Sequence, residues 1–175
     1  MDLTQLGSIR AKLESMRPQV IINASAYTAV DQAEQETELA LAVNRDAVGE
    51  IASYCAAVDA VLIHMSTDYV FDGAASAPYV ETADTNPRGA YGASKLAGEQ
   101  AIAASGCRHL IIRTAWVFSP YGQNFLKTML RLGGEHDTLS VVADQIGSPT
   151  LAGDLAEAIV CLLYTSDAAD ESDRG

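Results

Sequence analysis

Apolar positions along the chain fall into two alternating patterns. Short continuous runs, Val20-Ile21-Ile22 and Ala60-Val61-Leu62-Ile63, read as buried strands, because a strand covered on both faces carries apolar side chains at successive positions. Longer stretches between them keep helical spacing. Leu6, Ile9, Leu13 and Met16 recur at three- and four-residue intervals, with Thr4 as a candidate N-cap and Pro18 as a stop. Residues 19–24 are expected to form a strand. Residues 34–57 read as one long helix, with Leu39, Leu41, Val43, Val48 and Ile51 among its apolar positions. A strand is expected at 60–65, then a polar, turn-rich loop at 71–88 that holds Gly73, Pro78 and Pro87. A helix follows at 90–104, a strand at 109–113, a helix at 124–132, a strand at 139–142 and a helix from Gly153. Alternation of this kind predicts an α/β fold, a mostly parallel sheet with helices on both faces.

Candidate chemistry sits where these elements meet. The strand at 60–65 runs into Ser66 and Thr67, whose hydroxyls fall at its carboxyl end, where open α/β sheets place their ligands. Tyr91 and Lys95 are four apart on the next helix and project from one face. A hydroxyl, a phenol and an ammonium gathered this way can protonate a carbonyl while hydride arrives from a cofactor. The Tyr-x-x-x-Lys spacing alone is weak, arising by chance in roughly one chain in eight of this composition. A half-buried helix tyrosine beside a solvated lysine is the plain reading of that pair.

The context changes the weighing. The Ser66-Thr67-Asp68 strand end upstream, and a second strand ending in Ala24-Ser25-Ala26, resemble the extended short-chain dehydrogenase/reductase superfamily. Five blocks, in order, resemble the dTDP-4-dehydrorhamnose reductases within it. They are the segment from Asn23 to Glu34, Ser66-Thr67-Asp68-Tyr69-Val70-Phe71-Asp72-Gly73, Tyr91-Gly92-Ala93-Ser94-Lys95, Arg113-Thr114-Ala115-Trp116-Val117, and Asp144-Gln145-Ile146-Gly147-Ser148-Pro149-Thr150. The resemblance covers about residues 2–160. It implies a Rossmann-like, doubly wound parallel sheet over residues 1–160.

That resemblance also implies reduction of the 4-keto group of dTDP-4-dehydro-6-deoxy-L-mannose to dTDP-L-rhamnose with NADPH or NADH. By its motifs, Tyr91 is the general acid, Lys95 the charge that lowers the Tyr91 pKa and a contact to the nicotinamide ribose, and Thr67 a donor to the carbonyl oxygen. Ala26, Tyr27, Thr28 and Met65 are expected to flank the cofactor, and Asp2 and Leu3 to match an adenine-proximal pair. Asp68 and Trp116 match substrate-contacting positions, and Asn44 a supporting position on the long helix. For Met65 and Trp116 plain core packing is the competing reading. Two other functions remain open: a different nucleotide-sugar short-chain enzyme, such as an epimerase or dehydratase, and a non-catalytic binding subunit resembling the β-subunit of methionine adenosyltransferase. An acidic residue beside Asp68 would favour a dehydratase; Tyr69 stands there instead.

Composition narrows partners more than chemistry. The 175 residues are 49% hydrophobic with a formal net charge of −12, which argues against a broad nucleic-acid interface. No apolar run is long enough to span a membrane, so a cytoplasmic protein with a dTDP-sugar substrate and no membrane partner is expected. The resemblance leaves room for a homodimer of a full-length protein. Cys55, Cys107 and Cys161, and His64, His109 and His136, lack metal-ligand spacing, so no metal is expected. Both ends depart from the family pattern. No Gly-x-x-Gly-x-x-Gly turn for a pyrophosphate is present, so the first βαβ unit is expected to be missing. Residues 161–175, from Cys161-Leu162-Leu163-Tyr164-Thr165-Ser166, resemble the in-frame translation of a transposon-end sequencing adaptor and are expected to be a non-native tail.

Overall fold

The apolar run at residues 60–63 lies in the central strand of a parallel sheet. The structure, a computed structural model, describes the backbone of residues 1–172 and the side chains of residues 1–164. It divides into two compact units, residues 1–113 and 114–175.

In the first unit, α1 (Leu6–Met16) precedes β1 (Val20–Asn23), and β2 (Val61–Thr67) lies between β1 and β3 (His109–Thr114). β1 and β2 are parallel, in a register that runs from Val20 opposite Val61 to Asn23 opposite His64. The two strand ends therefore reach the same edge of the sheet. Packed against the strands are α3 (Ala47–Val58) and α4 (Ala90–Ser105), which also pack on each other, while α1 packs on α3. Ile9, Leu13, Val48, Ile51, Tyr54, Leu62 and Ile102 form one buried cluster. Each of these aliphatic side chains contributes about 1.5–3 kcal/mol by leaving water.

The expected single helix at 34–57 is interrupted. A 3₁₀ turn (Gln32–Glu34) and α2 (Thr37–Leu41) lead into one π-helical turn, Ala42–Asp46, before α3 begins. The π turn holds one residue more than an α turn and swings its carbonyls off the axis. The Asn44 carbonyl lands on Gly98 of α4, where any Cβ would overlap it. Apolar periodicity carries no trace of this, because the residues on either side remain good helix formers.

The loop at 71–88 has no strand or helix, as its composition predicts. Asp72 organises it, accepting hydrogen bonds from the Ala74 N–H at 3.0 Å, the Tyr79 hydroxyl at 2.8 Å and the Asn86 amide at 3.4 Å. Phe71 stacks on Tyr79 with ring centroids 4.2 Å apart, and the Arg113 guanidinium lies 4.9 Å over the Phe71 ring.

The second unit holds two short parallel strands, β4 (Val117–Phe118) and β5 (Thr150–Leu151), with α5 (Phe125–Glu135) and α6 (Ala152–Ser172). Residues 139–142 do not form the expected strand. Val141 and Val142 are exposed, so the apolar run there reflects neither pairing nor burial. β4 and β5 escaped the sequence because two residues are too few to show a period. The expected tail at 161–175 falls partly on residues 173–175, outside the described residues; within them α6 continues unbroken to Ser172. Among the described residues no helix is long and apolar enough to cross a membrane.

Candidate active site

β2 ends at Thr67, which caps the 3₁₀ turn Asp68–Val70. Its Oγ1 accepts from the Tyr69 N–H at 3.2 Å and donates to Asp68 Oδ1 at 3.1 Å, so the hydroxyl is fixed on the strand end. The first turn of α4 is brought against the same place. Glu34 Oε1 accepts from the Ala90 N–H at 2.7 Å, which anchors a free donor of the helix N-terminus. Gly92 then lets the helix approach, because a Cβ there would overlap the Tyr69 carbonyl. The Tyr69 and Tyr91 rings meet edge to face at 5.6 Å. Tyr91 and Thr67 are thereby brought to the same strand end, where the Thr67 hydroxyl is among the groups that act on the Tyr91 phenol.

Lys95 lies one turn further along α4, fully buried. Its Nζ donates to the Met65 carbonyl at 2.6 Å and lies 3.2 Å from His64 Nε2. This alters the expected electrostatics. Burial raises the Tyr91 pKa above the ordinary phenol value; the Thr67 hydrogen bond opposes the rise, and the charges of Asp68 and Tyr69 add to it. The Lys95 Nζ is held by the Met65 carbonyl and the His64 ring. The Lys95 pKa is itself pulled down to about 8 by burial, against an upward pull from Glu99. Burial also raises the Asp68 carboxyl, against its hydrogen bonds to Thr67 and the neighbouring backbone.

The segment after β1 is held to α4 through Asn44. Its Oδ1 accepts the Tyr27 N–H at 2.9 Å and its Nδ2 donates to the Tyr27 carbonyl at 3.1 Å. The same Nδ2 lies 2.9 Å from Ser94 Oγ, which donates to the Tyr91 carbonyl at 2.7 Å. The Tyr27 hydroxyl is fixed on Glu36 at 2.8 Å. Ala24, Ser25 and Thr28 are exposed, and Ala26, Tyr27 and Met65 are half-buried. The β1–β2 register ends with Asn23 opposite His64, so Ala24 and Ser25 leave the sheet where β2 continues to Met65 and Ser66. Small side chains there leave room for a ring to lie against backbone, so the residues present fit the nicotinamide end of a dinucleotide.

The remaining predicted positions are placed as follows. The Asp2 carboxylate accepts from the Thr4 N–H at 2.9 Å and the Thr4 hydroxyl at 2.7 Å, so it organises the turn before α1, while Leu3 packs on the hydrophobic cluster. Trp116 belongs to the second unit. It has a positive φ of 48° and its indole covers Gly147, where an added Cβ would come within 3.0 Å of the ring.

Sequence reasoning missed His64, Ser66, Glu99 and Arg113 as a polar interior. Ser66 Oγ donates to Glu99 Oε1, and Arg113 binds both Glu99 oxygens, at 3.1 and 2.7 Å. The signal was available: polar residues within a strand read as buried must find partners, and Glu99 continues the Tyr91–Lys95 stripe by four residues.

The chain has known relatives. The family described as the RmlD substrate binding domain matches residues 1–175. The chain is 46% identical over 172 residues to a dTDP-4-dehydrorhamnose reductase of Sinorhizobium fredii, covering 97% of this chain and 58% of that protein. It is 47% identical over 165 residues to one of Burkholderia thailandensis, covering 94% and 55%. A crystal structure of dTDP-4-dehydrorhamnose reductase from Bacillus anthracis in complex with NADP superposes with a TM-score of 0.91 at 44% identity, covering 95% of this chain and 59% of that one. The chain thus spans little more than half the length of the relatives it matches. The α/β fold with its strand-end hydroxyls, and a match along its whole length, place this chain in the RmlD substrate binding domain family.

Proposed function

We propose that this chain carries the proton-transfer part of a dTDP-4-dehydrorhamnose reductase, which reduces the 4-keto group of dTDP-4-dehydro-6-deoxy-L-mannose with NADPH or NADH. The observation that carries the reading is the Thr67–Tyr91 pair at the end of β2, in a chain whose relatives bear that name. Thr67 turns its hydroxyl hydrogen from Asp68 Oδ1 to the substrate carbonyl oxygen as charge develops on it, and Tyr91 delivers the proton to the forming alkoxide. Raised by burial, Tyr91 starts protonated, which suits an acid. Lys95 sits one turn away to supply positive charge when the phenol ionises.

Ala26, Tyr27, Thr28, Met65 and Lys95 would hold the nicotinamide end, with Asp2 and Leu3 towards the adenine. When bound, the cofactor supplies the hydride; the chain supplies position and electrostatics. Asp68 and Trp116 are assigned to the substrate. We place the protein in the cytoplasm, with a dTDP-sugar as its partner molecule, no nucleic acid, and a homodimer as the assembly to test.

The test is turnover of the dTDP-4-keto sugar, followed by cofactor oxidation, in the protein that carries this segment. Tyr91→Phe is expected to reduce turnover by ~10²–10⁴ with little change in cofactor affinity, the usual worth of a positioned proton donor. Lys95→Met is expected to lower both. A Tyr91→Phe protein that works at the parental rate overturns the assignment.

A further inference from the structure

His64 is fully buried between two polar groups. Its Nδ1 is 3.1 Å from Asn23 Nδ2, and its Nε2 is 3.2 Å from Lys95 Nζ. A neutral imidazole has one N–H, so one ring nitrogen donates and the other accepts. The choice is made on β1. The backbone N–H of Ser25 can only donate, and its partner is Asn23 Oδ1 at 3.2 Å; the Ser25 hydroxyl adds a bond of 2.6 Å to the same oxygen. The Asn23 oxygen therefore faces Ser25 and its NH₂ faces His64. Nδ1 must accept, so Nε2 carries the hydrogen and points it at Lys95. An ammonium has no lone pair to receive it, and an amine has one. The amine keeps a hydrogen for the Met65 carbonyl.

Surrounding charge agrees. The carboxylate that acts on Lys95 is Glu99, one turn along α4, and it is already bound by Arg113 and Ser66. Burial is the larger cause that pulls the His64 pKa down to about 3, and an ammonium at Lys95 adds to it, so the ring stays neutral whichever form the lysine takes.

We propose that His64 is a positioning residue that favours the uncharged amine of Lys95 over its ammonium in the ligand-free chain, with Nε2–H donating to the amine Nζ and Nδ1 accepting from Asn23, so that Lys95 gives up its proton more readily than an ordinary lysine. Its bearing on catalysis rests on the reductase reading above. The amine returns to the ammonium by taking up one proton from solvent, and the donor chain from Asn23 sets how readily Lys95 exchanges between the two.

The experiment needs no substrate. The chain has three histidines and three lysines, Lys12, Lys95 and Lys127, so nitrogen-15 imidazole spectra and carbon-13 lysine spectra of the whole chain are simple to assign. His64 is expected as the Nε2–H tautomer, without titrating between pH ~5 and ~8. The Lys95 ε-carbon is expected to titrate at about 8, below the ordinary lysine range, the direction burial imposes. An Nδ1–H tautomer, or a Lys95 that titrates in the ordinary lysine range, overturns the proposal. His64→Leu removes the donor and should move the Lys95 titration upwards; His64→Gln restores an N–H and should return it. An unmoved titration in His64→Leu also overturns it, and if that variant does not fold, the wild-type tautomer decides. These spectra are independent of turnover, so failure of the Tyr91→Phe test would sink the reductase reading and leave them standing.

Discussion

The side chain of Asn44 binds the peptide group of Tyr27 on both sides, accepting its N–H at 2.9 Å and donating to its carbonyl at 3.1 Å. One buried amide thus fixes the conformation of the segment at 24–28 and, through Ser94, ties it to the Tyr91 turn of α4. Asn44→Ala leaves both Tyr27 groups without their partner. Stability is expected to fall by about 1–3 kcal/mol, the cost of unpaired polar groups. Hydrogen exchange at the Tyr27 amide should accelerate far more than at Ile63 in the centre of the sheet. Equal acceleration at both would show that Asn44 supports the whole fold and not this segment.

The Glu99–Arg113 pair is mostly buried, Glu99 being 6% exposed. Arg113→Met strands the carboxylate, and removing one partner of a buried pair costs about 3–5 kcal/mol. Adding Glu99→Gln should recover part of that loss, because the remaining group is then neutral. Urea unfolding of the single and double variants measures it. A double variant less stable than Arg113→Met would refute the stranded-charge account.

Two glycines in helices should respond oppositely to alanine. Gly98→Ala gains about 1 kcal/mol in helix propensity, but its methyl would overlap the Asn44 carbonyl. Overpacking against backbone costs ~1–3 kcal/mol, so the variant is expected to lose stability. Gly133 in α5 has open space where its Cβ would go, and Gly133→Ala should stabilise by roughly 0.4–1 kcal/mol. Thermal unfolding of both variants settles the signs.

The depressed His64 pKa has a consequence for acid stability. The folded chain keeps the ring neutral down to about 3, while the unfolded chain protonates it near ~6.5. Between these values the unfolded state binds the extra proton. The His64 contribution is therefore intact above pH ~6.5 and is lost progressively as pH falls towards 3. His64→Gln should flatten the dependence of stability on pH between ~5 and ~6.5, read from denaturant midpoints. An unchanged slope would mean that His64 is not held neutral.

Residues 161–175 are proposed to be a non-native extension, and removal after Val160 should leave the melting temperature unchanged apart from packing by Leu162 and the half-buried Leu163. A drop of many degrees would show that the last turns of α6 belong to the fold.

Much of the first unit was legible because its periods are strong. The runs at 20–22 and 60–63 are apolar at every position, and the Thr67, Tyr91 and Lys95 placements follow from strand ends and four-residue helical spacing. What was hidden depends on pairing across the fold. The π turn leaves no trace in the apolar period, and the position that accommodates its Asn44 carbonyl, Gly98, lies more than fifty residues later in the chain. The direction of the Lys95 side chain was hidden for the same reason. Spacing puts Lys95 on the face of Tyr91, but the Met65 carbonyl and the His64 ring decide where the amine goes.

The π turn at Ala42–Asp46 also makes this helix sensitive to length in an unusual way. Deleting one residue inside it would yield an uninterrupted α-helix, locally more regular than the native one. Every residue before the deletion would then rotate by about 100° relative to α3, and the Asn44 amide would leave Tyr27. The wild-type irregularity is a phase correction: it lets one stretch of helix face the segment at 24–28 and the next face the core. A deletion scan across residues 40–48 should therefore yield proteins with unbroken helix and a disordered segment at 24–28, separating two properties that substitution at any one position would change together.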